Sequence, residues 1–133
     1  MKKFLLALFS LLLLSGVDAN AQVYKFKTTD FAYRTCEDGM WSDWSDWTDS
    51  SILVVINLDR EQIDIYSSEP QEFTIYDSDD VHEDRDGGSQ MELKCVDGEG
   101  LRCTVRLRVQ SDGVMQLYVD YSDVSYVYCL EER

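Results

Sequence analysis

Residues 91–119 read MELKCVDGEGLRCTVRLRVQSDGVMQLYV, and the way they alternate decides the fold. Taken as a three-residue hairpin loop, Gly98-Glu99-Gly100 needs a left-handed residue at its third position, which glycine supplies without strain. Asp97 then faces Leu101, Cys95 faces Cys103, Leu93 faces Val105 and Met91 faces Leu107. The same loop type at Ser111-Asp112-Gly113 sets Val109 against Met115, Leu107 against Leu117, Val105 against Val119 and Cys103 against Tyr121. Residues of the middle strand that point inward in the first hairpin point inward in the second. A slip of one residue would turn Gln116 to the core, so the register is strongly specified.

Working outward, further strand-like runs are 23–35, 41–48, 52–58, 62–67, 72–77 and 124–130. The last of these is separated from 114–122 by Ser122-Asp123, which reads as a bulge in one long strand or as a break between two. No stretch beyond the N-terminal segment sustains a 3.6-residue apolar period, and the one proline is Pro70. The turn at Asp59-Arg60-Glu61-Gln62 pairs Leu58 with Ile63 and Ile56 with Ile65. Leu53 and Val55 are apolar on the opposite face of that strand, which suits a sheet covered on both sides. The chain therefore reads as all-β, a single antiparallel meander of about eight strands closed into a small barrel. A two-sheet β-sandwich is the alternative.

The N-terminus has the three parts of a secretory signal. Lys2 and Lys3 are followed by an apolar run from Phe4 to Leu14, then by Ala19-Asn20-Ala21, a small-x-small cleavage site. Eleven residues span about 16 Å as a helix, short of the roughly 30 Å membrane core. The expectation is a cleavable signal peptide over residues 1–21 and one domain over residues 22–133, without a membrane span. No cysteine occurs before Cys36, so there is no lipid-attachment cysteine at the cleavage point. The mature protein is expected to be soluble, in the periplasm or outside the cell.

Loss of Lys2, Lys3 and Asp18 moves the net charge from −14 to −15. Such a surface repels phosphate backbones, so nucleic acid is excluded as a partner. The four cysteines, Cys36, Cys95, Cys103 and Cys129, suit disulfides in an exported domain better than a metal site, since neither CxxC nor zinc-knuckle spacing occurs. Register pairs Cys95 with Cys103. Cys36–Cys129 follows by elimination and closes a loop for which the chain-entropy model gives roughly 4–5 kcal/mol.

Trp41-Ser42-Asp43-Trp44-Ser45-Asp46-Trp47 places tryptophans three residues apart. Its literal residues resemble the WSxWS box of class I cytokine receptors and the W-x-x-W-x-x-W of thrombospondin type 1 repeats. The receptor box belongs near the end of its domain and the repeat has a cysteine framework missing here, so neither fold is implied. In the repeats tryptophans interleave with arginines, and Arg102, Arg106 and Arg108 share the outer face of one strand, where such a ladder would fit. Aromatic platforms beside Asp and Ser suit sugar rings, making Trp41, Trp44 and Trp47 the candidate ligand-binding residues. In a flat strand, however, Trp44 faces away from the other two, and burial of one or two of them in the core is the stronger expectation.

The acidic segment 77–88 fits no EF-hand spacing and reads as a solvated loop rather than a calcium site. His82, the sole histidine, lies in that loop, too poorly held to serve as a catalytic base. No catalytic residues, metal or cofactor are assigned. The leading expectation is a non-enzymatic binding or interaction module whose partner is a glycan or an envelope protein. Two rivals are a barrel holding a small apolar ligand and a carboxylate-dependent hydrolase with two acids about 5–10 Å apart.

Across nearly the whole mature chain, the patterns at 23–29, 44–47, 52–59 and 117–123 resemble small secreted, uncharacterised β-proteins of gut Bacteroidetes. The resemblance implies a bacterial envelope or extracellular setting and brings no activity, ligand or site residue.

Overall fold

A computed structural model describes residues 23–83 and 85–132. The expected signal peptide, residues 1–21, lies outside them. Among the described residues there is no helix, and none of their segments is long and apolar enough to cross a membrane as one.

The described residues form eleven strands: β1 (Val23–Glu37), β2 (Met40–Trp41), β3 (Thr48–Asp49), β4 (Leu53–Asn57), β5 (Gln62–Ile65), β6 (Gln71–Ser78), β7 (His82–Glu83), β8 (Ser89–Asp97), β9 (Arg102–Val109), β10 (Met115–Asp120) and β11 (Val124–Glu132). Eight of them, β1, β4, β5, β6, β8, β9, β10 and β11, follow one another around an antiparallel ring that β1 closes by pairing with β11. The fold is thus a closed barrel, and β2, β3 and β7 lie outside the ring.

Both hairpins of the 91–119 stretch have the expected register. Met91, Leu93 and Cys95 oppose Leu107, Val105 and Cys103, and Val109, Leu107 and Val105 oppose Met115, Leu117 and Val119. Gly100 and Gly113 close the loops at φ of 86° and 88°. Asp97 secures the first loop, its Oδ1 accepting the N–H groups of Glu99 and Leu101 at 2.9 Å each.

Two expectations, the turn after β4 and the strand over 41–48, need correction, and the open choice at Ser122-Asp123 falls to a break between two strands. The turn after β4 closes one residue earlier on each strand: Asn57 opposes Gln62, and Ile56 opposes Ile63 rather than Ile65. Asn57 Oδ1 accepts the Arg60 N–H and Glu61 adopts φ of 54°, so Leu58 is drawn into the loop and folds onto the core. The shift is by two in register, so the same isoleucines still face inward. Ser122-Asp123 is a tight turn between two strands, closed by the Tyr121 N–H on the Val124 carbonyl at 2.8 Å. The segment 41–48 is not one strand; only its two ends pair, as β2 and β3.

A bulge in β1 between Thr28 and Asp30 resolves a phase problem written in the sequence. Phe26 and Phe31, five residues apart, would lie on opposite faces of a regular strand; the extra residue turns both inward. The interior is filled by one cluster in which Val54, Ile56, Ile63, Ile65, Met91, Leu93, Val105, Leu107, Leu117 and Val119 are fully buried.

The Cys36–Cys129 bridge is also corrected. Cys129 opposes Asp30, whereas Cys36 lies six residues further along β1, about 20 Å away at strand rise. Disulfide geometry spans less than about 7 Å between Cα atoms. All four thiols are free in this structure.

Candidate functional site

The loops 66–70, 98–101 and 121–123 lie at one end of the barrel, fixed there by strand direction, and the segment 38–52 starts from the same end. Two aromatic arrangements occupy this end, one on the outer wall and one at the mouth.

The outer arrangement is the arm that carries the tryptophans. After β1 the chain reverses at Asp38-Gly39, both at positive φ, and β2 pairs with the end of β1. It then runs back along the edge of β1 that β4 leaves free. Serine makes this contact twice. Ser42 donates its N–H to the Thr35 carbonyl at 2.8 Å while its hydroxyl accepts the Thr35 N–H at 3.0 Å. Ser45 repeats the pair with Tyr33 at 2.8 and 2.9 Å. Thr48 opposes Phe31 as β3 begins. Every third residue of the arm therefore faces β1, as in a three-residue-per-turn extended helix and not a two-residue pleat.

That period brings Trp41 and Trp44 to one side. The Arg34 guanidinium lies between them, 4.7 Å from each ring centroid. Trp44 meets Tyr118 of β10 edge-on at 6.0 Å, and Tyr118 carries the Arg106 guanidinium at 4.1 Å. Arg106 in turn grips Asp120 through both its Nε, at 2.5 Å, and its Nη2, at 3.2 Å. Ala32, Ser125 and Val127 lie outside the core cluster yet are buried. Arginines do interleave with tryptophans, but the one between the rings is Arg34, not a residue of the Arg102–Arg108 face.

None of the three tryptophans enters the core: Trp41, Trp44 and Trp47 are 41%, 38% and 52% exposed. Burial was the stronger sequence expectation, and it fails because the three-residue period gives the arm a wall-facing serine stripe in place of an apolar one. Trp44 is engaged over its face by Arg34 and edge-on by Tyr118, whereas Trp47 remains an exposed ring.

The mouth was not singled out by sequence reasoning. Phe31 packs against Tyr33, Tyr126 and Tyr128 with centroids 5.1–6.2 Å apart, and Tyr121 stands 6.5 Å from Tyr126. Gln71 ties this cluster together. Its Oε1 accepts the Tyr126 hydroxyl, and its Nε2 donates to Ser67 Oγ at 3.1 Å and to the Tyr128 oxygen at 3.4 Å. Burial pushes the hydroxyls of Tyr121 and Tyr126 far above their usual range, so both are neutral donors at ordinary pH. Burial raises Asp97 as well, but the N–H groups of its loop and the Tyr121 hydroxyl outweigh it and hold the carboxyl below its ordinary value. Between loop 66–70 and loop 97–99 lies an open cleft of about 410 Å³, lined by Glu69, Gln71, Glu72, Asp97, Glu99 and Tyr121 among others. The signal available for it was Tyr126 and Tyr128, two apart on one strand just after Tyr121.

Burial pushes the thiols of Cys95 and Cys103 up to about 12 and about 11, so when free they are unreactive. Cys95 and Cys103 are opposed across β8–β9, directly beneath the loop that carries Asp97. No group of three or more potential metal-binding side chains gathers among the described residues.

Compared with known protein families, curated proteins and solved structures, the chain matches none.

Proposed function

We propose that the protein is an exported, non-enzymatic binding module that contacts a glycan or an envelope protein. The observation that carries this reading is the arm: three exposed tryptophans on a segment tied to the barrel wall by paired serine hydrogen bonds, two of them sharing an arginine. A preordered aromatic surface loses little entropy when a partner lands on it, which is the condition for useful affinity from a small area. Acid–base chemistry has less support, because a general acid must keep its proton near neutral pH and Asp97, the best-held carboxylate of the cleft, sits below its ordinary range. A small apolar ligand inside the barrel is likewise disfavoured by the continuous cluster of side chains filling it.

Export brings the protein into an oxidising compartment, where Cys95 and Cys103 are expected to join. That bridge would fix the β8–β9 hairpin at the base of the cleft wall.

Tryptophan fluorescence during titration with glycans and envelope fragments tests the module directly. The expected result is an emission change that Trp47→Ala removes. A panel in which no ligand moves the emission, with or without Trp47, would end the arm-based reading.

A further inference from the structure

We infer that the cleft at the barrel mouth is a second binding site, separate from the arm, that takes a neutral, hydroxyl-rich ligand: a hexose unit of a glycan. The volume, about 410 Å³, lies within the range of small-ligand sites, and one sugar ring fills much less than that. The chemistry of the lining narrows the class. Glu69, Glu72, Asp97 and Glu99 present carboxylates, and no lysine or arginine lines the cleft among the described residues. Ionised carboxylates only accept hydrogen bonds. The ligand must therefore bring the donors, as a polyol does, and must not bring an anionic group.

Two groups are fixed in advance for such a ligand. Asp97 receives two backbone N–H groups on Oδ1 and the Tyr121 hydroxyl at 2.8 Å on Oδ2, leaving Oδ2 a further lone pair. Gln71 is clamped by Ser67, Tyr126 and Tyr128, so its Oε1 also has a lone pair in a set direction. Tyr121 is half-buried beside Tyr126 at 31° to its plane and offers an aromatic wall. A hydrated cation would use the same carboxylates, but they do not gather into a metal-binding group. Acceptors spread around an aromatic wall match hydroxyls spread around a pyranose ring.

The test is a backbone-amide NMR titration of the oxidised mature protein with maltose, cellobiose and N,N′-diacetylchitobiose, and in parallel with glucuronic acid. At least one neutral sugar is expected to shift the amides of Gln71, Asp97 and Tyr121, with glucuronic acid at least about tenfold weaker from repulsion by the carboxylates. Tyr121→Phe keeps the ring and should weaken the neutral sugar about three- to tenfold by releasing Asp97. Glu99→Gln, in an exposed loop, should narrow the gap between neutral sugar and uronate. Shifts at Gln71, Asp97 and Tyr121 that persist in Trp47→Ala, whatever that variant does to residues 40–49, separate this site from the arm. Equal binding of glucuronic acid, shifts confined to residues 40–49, or no shift with any neutral sugar would each overturn the inference, while an arm that still binds would survive all three.

Discussion

The β8–β9–β10 meander and the tryptophan arm are both extended chain, yet they obey different periods. In the meander every second residue faces the core, and burial of Met91, Leu93, Val105, Leu107, Leu117 and Val119 sets the phase. In the arm every third residue faces β1, and hydrogen bonds from Ser42 and Ser45 set the phase instead. The difference teaches that a spacing of three in an apparently strand-like stretch marks a chain laid on a barrel rather than built into it. Hydrophobic burial holds the first; hydroxyls and a cation between rings hold the second.

The largest effect should come from the meander. Leu107→Ala empties a fully buried position between Met91 and Leu117 and should cost about 2–5 kcal/mol in chemical denaturation. A loss under about 1 kcal/mol would mean that the inward layer is not packed as described.

The next should come from the cysteine pair that ends the meander. Closing the loop from Cys95 to Cys103 should add about 2–3 kcal/mol over the reduced protein, with non-reducing peptide mapping to verify the linkage. The thiols also give a pH signature. Their folded values, about 12 and about 11, lie above the ordinary 9.0, so the folded state retains protons that the unfolded state releases. Reduced protein therefore keeps this stability below about pH 9 and loses it as pH climbs toward 12. Oxidised protein lacks the thiol contribution and should hold until tyrosine ionisation begins to matter above pH 10, the ordinary value from which Tyr121 and Tyr126 are raised. Identical alkaline unfolding of the two forms would contradict the burial of these sulfurs.

A smaller loss belongs to the arm. Arg34→Ala removes the cation between Trp41 and Trp44 and should cost about 1–2 kcal/mol. Hydrogen exchange should quicken at the Ser42 and Ser45 amides while that at Val105 and Leu107 is unchanged. Protection that falls equally in both regions would erase the distinction drawn between them. Trp47→Ala, at an exposed ring, should change stability by no more than about 0.5 kcal/mol.

Much of the barrel is legible in the residues themselves. Alternation and two glycine-ended loops fix the meander, because a slip of one residue would reverse every side chain. The turn at 58–61 is less legible: a shift of two keeps the same residues inward, so burial cannot distinguish the registers and the Asn57 side chain decides. The Cys36–Cys129 pairing failed for a related reason, since elimination assigns partners without regard to distance along a strand. Of the candidate site, the tryptophans were conspicuous as a spacing, but the identity of their cation was not. Arg34 lies on β1, beyond a bulge that changes which residues face outward. The mouth gathers Gln71, Asp97 and Tyr121 from the ends of β6, β8 and β10, and it takes the pairing of β6 with β8, separated in sequence by the loop 79–88, to bring Gln71 beside the meander.

Closure joins the first strand to the last, from Phe26↔Glu132 to Thr35↔Val124. A chain emerging N-terminus first, from a ribosome or a pore, thus presents β1 with one ladder of amides unsatisfied until residues 124–132 arrive. The pairing of greatest sequence separation is also the one that completes the structure, which predicts slow, late-committing folding. Until residues 124–132 are free, the hairpins can form but the ring stays open.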